Sequence, residues 1–181
     1  MPRPSRLLIP LLALLIPTLV LAAGAMPRVG QMAPGFRLQD QNGHWRSLDQ
    51  YRGQWLVLYF YPRDFTPGCT TELCKYRDDY LALRKQGAQV LAVSLDDVAS
   101  HAAFARKHHA PFPMLADSHH VVAREYGVLT SLIGIHYAAR TTFIIAPDGR
   151  IAKVYTGVDP EANSRQVLAD LPALKQAFHK T

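Results

Sequence analysis

Apolar residues follow two different periods along this chain, and their alternation predicts strands separated by helices. Residues 55–61 (WLVLYFY) and 89–95 (QVLAVSL) are short and almost continuously apolar, a pattern typical of strands buried inside a sheet. Residues 70–86 and 160–179 instead carry apolar side chains at steps of three and four, which indicates helices with one buried face. We therefore predict an α/β fold in which helices flank a central mixed sheet.

Shorter signals complete this pattern. A further helix is predicted over residues 97–108, with Asp97 or Ser100 as its N-terminal cap. Near the C-terminus, residues 147–149 (PDG) separate two apolar runs, which is a strong hairpin signal. The sequence contains no internal repeat and no linker between domains, so we expect a single folded domain.

The first 25 residues have the composition of an export signal rather than of a folded domain. Arg3 and Arg6 form a basic head, residues 7–21 are almost wholly apolar, and residues 23–25 (AGA) resemble a cleavage site. Two prolines interrupt the apolar run, which is shorter than the roughly 20 residues that cross a bilayer. We predict a signal peptide over 1–25, export to the periplasm and a domain over 26–181, with an uncleaved membrane anchor as the alternative.

Charge and motifs argue against several classes of function. The formal net charge of +6 falls to +4 when Arg3 and Arg6 are removed with the leader. The remaining basic residues alternate with acidic or apolar ones instead of forming a stripe, so nucleic-acid binding is not predicted. No GxGxxG motif follows a strand, so we expect neither a nicotinamide nor a flavin cofactor. We also predict no metal site and no stable insertion into a membrane.

The two cysteines, Cys69 and Cys74, follow the point where the first buried strand gives way to a helix. The helical pattern begins near Cys69, so unpaired N–H groups and the positive end of the helix dipole should favour a thiolate there. Thr66 precedes Cys69 by three residues, and its hydroxyl can form hydrogen bonds in the same pocket. Export permits a disulfide, but a loop this short would stabilise a domain of this size little. We therefore predict a catalytic role for the cysteines.

The spacing Pro62-x-x-x-Thr66-x-x-Cys69 resembles the active-site signature of the peroxiredoxins. A second cysteine five positions on, Cys74, is similar to the arrangement in their Q-type, or bacterioferritin-comigratory, subfamily. This resemblance implies a thioredoxin-like fold. It also implies a thiol-dependent peroxidase that reduces hydrogen peroxide and organic hydroperoxides.

Peroxide reduction requires a thiolate nucleophile and a positive group that stabilises the departing oxygen. The resemblance assigns the second role to Arg140, the first residue of the run RTTFIIAPDG, because a guanidinium stays protonated and donates several hydrogen bonds. Thr66 is expected to orient the peroxide and to hydrogen-bond the sulfur, and Pro62 to shield the thiolate from water. Glu72, one turn after Cys69, either pairs with a basic side chain or faces solvent, and we do not count it as catalytic.

The first product would be a sulfenic acid on Cys69, which Cys74 can convert to a disulfide. In an intact helix, however, positions five apart have Cα atoms roughly 8.7 Å from each other, and a disulfide needs them within about 7 Å. We therefore predict that the helix unwinds locally before the disulfide closes. The resemblance implies thioredoxin or a thioredoxin-like dithiol protein as the reductant, acting on a monomer or a weak homodimer.

The sequence also contains two pairs of adjacent histidines and an apolar stretch before Arg140. The pairs His108-His109 and His119-His120 are expected at the surface, because neighbouring side chains on a helix or strand point in different directions. His136, four residues before Arg140, is a candidate for the mouth of the pocket. Residues 130–139 (TSLIGIHYAA) are more apolar than expected for a loop before the arginine. They are predicted either to admit a bulkier peroxide or to contact a partner subunit.

Three other functions are compatible with some of these residues. A thiol–disulfide oxidoreductase would need Cys-x-x-Cys, whereas the spacing here is Cys-x4-Cys. A copper metallochaperone of the same fold could use Cys69, Cys74 and His136, although a spacing of five residues points the two thiols apart. A holdase without enzymatic activity is the third. A peroxidase assay with Cys69 replaced separates the favoured hypothesis from all three.

Overall fold

The computed structural model describes residues 24–178, which form a mixed sheet covered by helices. The strands are β1 (Arg37–Asp40), β2 (Trp45–Ser47), β3 (Trp55–Phe60), β4 (Ala88–Ser94), β5 (Met114–Ala116), β6 (Leu129–Leu132), β7 (Ile135–Ala138), β8 (Thr141–Ile145) and β9 (Ile151–Thr156). The helices are α1 (Pro67–Lys85), α2 (Val98–His108), α3 (Val121–Glu125) and α4 (Asn163–Phe178), with a 3-10 turn at Leu48–Tyr51.

Seven strands make the main sheet in the order β2-β1-β5-β4-β3-β8-β9. Strands β3, β4 and β5 run parallel to their neighbours in that group, whereas β8, β9, β1 and β2 pair antiparallel. Strands β6 and β7 form a separate hairpin. The predicted α/β class with a mixed sheet is therefore confirmed.

The core is divided by β3, whose six residues are all buried. Successive side chains of a strand point to opposite faces of the sheet. Val57 and Tyr59 accordingly pack in one apolar cluster with α1, α2 and α4, and Leu58 and Phe60 pack in a second cluster with α3. Because both faces are covered, the strand is apolar at every position, which is the pattern seen in the sequence.

Two helix boundaries differ from the prediction. Helix α1 begins at Pro67, with Thr66 as its cap residue, and not near Cys69. Proline suits the first position of a helix, where its missing N–H would have no partner in any case. Helix α4 begins at Asn163 rather than at residue 160. A turn precedes it, in which the N–H groups of Ala162 and Asn163 both donate to the carbonyl of Asp159.

The stretch 130–139, predicted as a loop, forms most of the β6–β7 hairpin. Leu129 pairs with Ala138 and Leu132 with Ile135, which leaves a two-residue turn between the strands. The turn carries none of the Asn-Gly or Asp-Gly signals from which such hairpins are recognised, so the loop prediction was wrong there.

Residues 1–23 of the predicted signal peptide lie outside the described residues. Within residues 24–178, no helix is both long enough and apolar enough to cross a membrane.

Candidate active site

Cys69 is the third residue of α1 and is 2% exposed. The first hydrogen bond of the helix runs from the N–H of Thr70 to the carbonyl of Thr66, at 2.9 Å. The N–H groups of the residues before Thr70 therefore belong to the unpaired start of the helix, where negative charge is stabilised. The thiol is not part of a disulfide.

Arg140 is brought to Cys69 by the pairing of β3 with β8. Thr141 at the start of β8 lies opposite Phe60 at the end of β3, so Arg140 stands where the chain leaves β3 for α1. Its Nη2 donates a hydrogen bond to Sγ of Cys69 at 3.4 Å. Gly68 leaves room for this approach, since a Cβ at that position would lie 3.3 Å from Nη2. Arg140 and Cys69 are therefore in contact, as predicted.

Glu72, for which the sequence left two possibilities open, completes this group. Its side chain is buried and accepts a hydrogen bond from Nη1 of Arg140, as part of an ion pair. The other carboxylate oxygen, Oε1, is buried with no hydrogen-bond partner within the described residues. Of the two possibilities open for Glu72, pairing with a basic side chain is the one observed.

Burial and charge act in opposite directions on this pair. Burial raises the pKa of Glu72 from 4.5 to about 7, although the charge and the hydrogen bond of Arg140 lower it. For Arg140, burial lowers the pKa, but the neighbouring Glu72 and Cys69 outweigh that effect and the pKa is raised. The guanidinium thus stays charged beside the sulfur, while the carboxylate changes its charge near neutral pH.

Thr66 and Pro62 lie in the loop that joins β3 to α1. The Thr66 hydroxyl donates a hydrogen bond to the carbonyl of Arg63 at 3.0 Å, and within the described residues it forms none with the sulfur of Cys69. It does not cap α1 through its side chain either. The hydroxyl is therefore occupied at rest, and its action on a peroxide stays a prediction.

A buried polar network fixes the base of this loop. The carboxylate of Asp64 accepts hydrogen bonds from the hydroxyls of Tyr61 and Ser100, both at 2.7 Å. It also lies 2.9 Å from Nδ1 of His101, whose Nε2 is 3.1 Å from the carbonyl of Leu115. Burial acts to raise the pKa of Asp64, but these hydrogen bonds and the imidazole charge lower it overall. Nothing in the sequence pattern pointed to His101, which is buried completely.

Cys74 lies one and a half turns beyond Cys69 in an unbroken helix. It is half-buried, packs against the core that contains Cys69 and is also not in a disulfide. The spacing of a regular helix keeps the two Cα atoms roughly 8.7 Å apart, so the prediction of local unwinding before disulfide formation still stands.

A cavity of about 520 Å³ opens beside this loop. Its walls include Pro62 and Arg63 on one side and Ile135 and His136 on the other. His136 lies in this wall, and His120 faces it with ring centroids 5.5 Å apart. The predicted place of His136 at the mouth of the Cys69 pocket stays a prediction. A larger cavity, of about 610 Å³, is bordered by β1 and α3. Neither cysteine lines either cavity, and the smaller one adjoins the site through Pro62.

Within residues 24–178, no group of three His, Cys, Asp or Glu side chains is arranged to hold a metal ion. Cys69, Cys74 and His136 therefore form no preassembled copper site, and the metallochaperone alternative gains no support.

The chain is similar in sequence to known peroxiredoxins. A sequence model described as the AhpC/TSA family matches residues 29–154. The chloroplastic peroxiredoxin Q of Triticum aestivum is 41% identical over 140 residues, which cover 77% of this chain and 64% of that protein. A putative peroxiredoxin bcp of Coxiella burnetii is 40% identical over 147 residues, which cover 79% of this chain and 97% of that protein.

Solved structures with a similar fold are also peroxiredoxins. Peroxidoxin BcpB from Mycobacterium tuberculosis superposes with a TM-score of 0.76 at 33% identity, over 81% of this chain and 97% of its own. A cysteine-to-serine mutant of PrxQ from Xylella fastidiosa superposes with a TM-score of 0.78 at 31% identity, over 83% of this chain and 98% of its own. The chain therefore belongs to the AhpC/TSA family and, within it, to the Q-type peroxiredoxins.

Proposed function

We propose that this protein is a thiol-dependent peroxidase in which Cys69 attacks hydrogen peroxide and organic hydroperoxides. The observation that carries the proposal is the hydrogen bond from Arg140 to Sγ of Cys69 at the start of a helix. A helix N-terminus and a guanidinium both favour the thiolate, and the thiolate is the form of cysteine that acts as a nucleophile.

In the first step, the Cys69 thiolate attacks one oxygen of the peroxide and the O–O bond breaks. The attacked oxygen stays on sulfur as a sulfenic acid, and the other oxygen leaves with the bonding electrons and takes up a proton to give water or an alcohol. Negative charge therefore moves from the sulfur to the departing oxygen. Arg140 donates a hydrogen bond to the sulfur at 3.4 Å, so its charge would stabilise the transition state as well as the thiolate.

Pro62 and Thr66 would complete the pocket. Pro62 lies in the wall of the adjacent cavity and would keep bulk water from the thiolate. Thr66, which donates to the carbonyl of Arg63 at rest, would release that bond and hydrogen-bond the bound peroxide. Both roles require the loop to keep its position, which the buried contacts of Asp64 support.

In the second step, the thiol of Cys74 attacks the sulfur of the Cys69 sulfenic acid, and water leaves as the disulfide forms. The first turns of α1 would unwind to bring the two sulfurs together. A thioredoxin-like dithiol protein would then reduce the disulfide and return both thiols. Crystals of the oxidised protein test the unwinding, since an unbroken α1 that contains the closed disulfide would contradict it.

The test of the proposal is hydrogen peroxide consumption by the reduced protein with thioredoxin as donor. Cys69→Ser should abolish consumption and leave no sulfenic acid for dimedone to label. Cys74→Ser is the matched control, because it makes the same substitution in the same helix. It should consume one equivalent of peroxide, accumulate the dimedone adduct and fail to recycle with thioredoxin. Retained turnover in Cys69→Ser would overturn the proposal.

We further propose that the protein is exported, since residues 1–25 have the order of a cleavable signal peptide. The donor would then be a dithiol protein that works outside the cytoplasm. Mass spectrometry of the protein from a periplasmic extract tests this proposal. A mass that includes residues 1–25 would favour a retained anchor instead.

A further inference from the structure

The guanidinium of Arg140 lies between two acidic side chains of one helix. Its Nη2 donates a hydrogen bond to Sγ of Cys69 at 3.4 Å, and its Nη1 donates another to the carboxylate of Glu72. Cys69 and Glu72 are three residues apart in α1, so their side chains are neighbours on one face of the helix. One positive charge is therefore shared by two groups that can each become negative.

Burial makes two negative charges at this position costly. Both Cys69 and Glu72 are buried, and buried ionised groups need a partner of opposite charge. With both acids ionised, two negative charges would face the single charge of Arg140, whereas with one acid ionised the charges balance. The oxygen Oε1 of Glu72 also has no hydrogen-bond partner within the described residues, which disfavours the carboxylate further.

The other ionisable groups around Glu72 do not supply a compensating charge. Within the described residues, they are the phenols of Tyr59 on β3 and Tyr76 on α1, whose pKa values burial raises far above the ordinary value. Both phenols therefore stay neutral. From α4, Asn163 accepts a hydrogen bond from the hydroxyl of Tyr76 and carries no charge. The pKa of Glu72, raised by burial to about 7, agrees with a carboxyl group that holds a proton at neutral pH.

We propose that Glu72 holds the proton that the departing oxygen of the peroxide needs, an inference that rests on the proposed peroxidase function. Before the reaction, the start of α1 favours the negative charge on sulfur, so the proton resides on Glu72. When the sulfur bonds to one peroxide oxygen, the O–O bond breaks and the other oxygen leaves with the bonding electrons. The sulfur has then lost its negative charge, and Arg140 pairs with Glu72 alone. Glu72 releases its proton to the departing oxygen, which becomes water or an alcohol.

The proton returns to Glu72 when the thiols are restored. Reduction of the disulfide leaves Cys69 as a thiol beside the carboxylate of Glu72. Transfer of the thiol proton to Glu72 gives the thiolate and the protonated carboxyl group again. Glu72 thus exchanges one proton with the reaction in each cycle, and its charge is always opposite in timing to that of Cys69.

Infrared difference spectroscopy measures the protonation of Glu72 directly. The sample is reduced Cys74→Ser protein at neutral pH, before and after one equivalent of hydrogen peroxide, because this variant stops at the sulfenic acid. The C=O band of a protonated carboxyl group should be lost, and carboxylate bands should appear. Both changes should vanish when Glu72→Gln is added. Glu161→Gln, which removes a surface carboxylate paired with Lys75, should leave both changes in place.

A second measurement needs neither peroxide nor a substitution of Glu72. Cys69→Ser, added to Cys74→Ser, keeps Arg140 and Glu72 but removes the sulfur anion that competes for the guanidinium. The Glu72 carboxyl group should then ionise more readily, so its C=O band should disappear at a pH about 1 to 2 units lower than in the parent. A glutamate that serves only to hold Arg140 in place would give the same titration in both proteins.

Two results would overturn the proposal. The first is a difference spectrum with no carboxyl change although dimedone labels Cys69, in which case the peroxidase stands and the proton comes from solvent. The second is a C=O band that titrates at the same pH with and without the Cys69 thiol. Failure of dimedone to label Cys69 after peroxide treatment would instead overturn the peroxidase itself, and this inference with it.

Discussion

Replacing Glu72 with glutamine should change how the stability of this protein depends on pH. The carboxylate is buried beside Arg140, and burial raises its pKa from 4.5 to about 7 against the opposing effect of that arginine. The folded protein therefore binds a proton at Glu72 more tightly than the unfolded chain does. Glu72 therefore adds to the free energy of unfolding at low pH. As for any acid with a raised pKa, this stabilisation is lost as pH rises from about 4.5 through about 7.

The size of this stabilisation follows from the difference between the pKa of Glu72 in the folded protein and in the unfolded chain. Each pKa unit corresponds to about 1.4 kcal/mol, and the rise from 4.5 to about 7 makes the contribution between pH 5 and pH 8 about 2 to 3 kcal/mol. Glu72 is fully buried, so no reduction for solvent screening applies. Glutamine keeps the shape of the side chain and can accept the hydrogen bond from Arg140, but it does not titrate.

Urea unfolding of the wild type and of Glu72→Gln at pH 5 and pH 8 measures this stabilisation. The quantity of interest is how much the difference in free energy of unfolding between the two proteins changes from one pH to the other. The wild type should lose about 2 to 3 kcal/mol relative to Glu72→Gln as pH rises. Glu161→Gln is the control, because Glu161 pairs with Lys75 at the surface and should show a change of only a few tenths of a kcal/mol. If the wild type keeps or gains stability relative to Glu72→Gln, Arg140 holds Glu72 ionised at low pH and the reasoning is refuted.

Three further substitutions test separate parts of the structure. Gly68→Ala should slow the reaction with peroxide about tenfold in stopped-flow fluorescence, because its Cβ would press on Arg140 from 3.3 Å; an unchanged rate would show that the guanidinium moves freely. Asp64→Asn should lower the free energy of unfolding by about 3 kcal/mol, since His101 would lose its buried partner. A loss below about 1 kcal/mol would argue against an ion pair between Asp64 and His101. Asp97→Ala should cost about 1 kcal/mol by removing the side-chain cap of α2, and urea midpoints that coincide would contradict this.

The fold was predictable because burial is recorded in the pattern of apolar residues. Strand β3 is covered on both faces and is apolar throughout, so its position follows from the sequence. Asp97 was one of two predicted caps for α2, and its carboxylate does accept the N–H of Ser100 at 2.7 Å. Such local rules connect a residue to neighbours within one turn of it, and they worked where the structure depends on those neighbours.

The sequence left contacts open, or did not reveal them, where a distant part of the chain decides the outcome. Glu72 has the sequence environment of an exposed helix residue, and only the pairing of β3 with β8 brings Arg140 to it. His101 lies in a helix whose spacing does not reveal that Asp64 and the carbonyl of Leu115 contact its ring nitrogens. No property of one segment predicts a contact between segments far apart in the chain.

The hairpin and the start of α1 were missed for a different reason. Ile133 occupies a turn position that its side chain disfavours, so the rule for recognising such turns pointed away from the hairpin. The helix was predicted to begin near Cys69, but it begins at Pro67, because proline is common at the first position of a helix.

The central claim is that the guanidinium of Arg140 speeds the attack of the Cys69 sulfur on peroxide. The most direct test compares Arg140→Gln with its parent in the Glu72→Gln background, so that no buried carboxylate is left unpaired. In single-turnover stopped-flow measurements with hydrogen peroxide, the rate constant should be lower by about 100-fold or more, with a smaller decrease for alkylation by iodoacetamide. A peroxide rate constant within about threefold of the parent, well short of the effect of losing such a group, would contradict it.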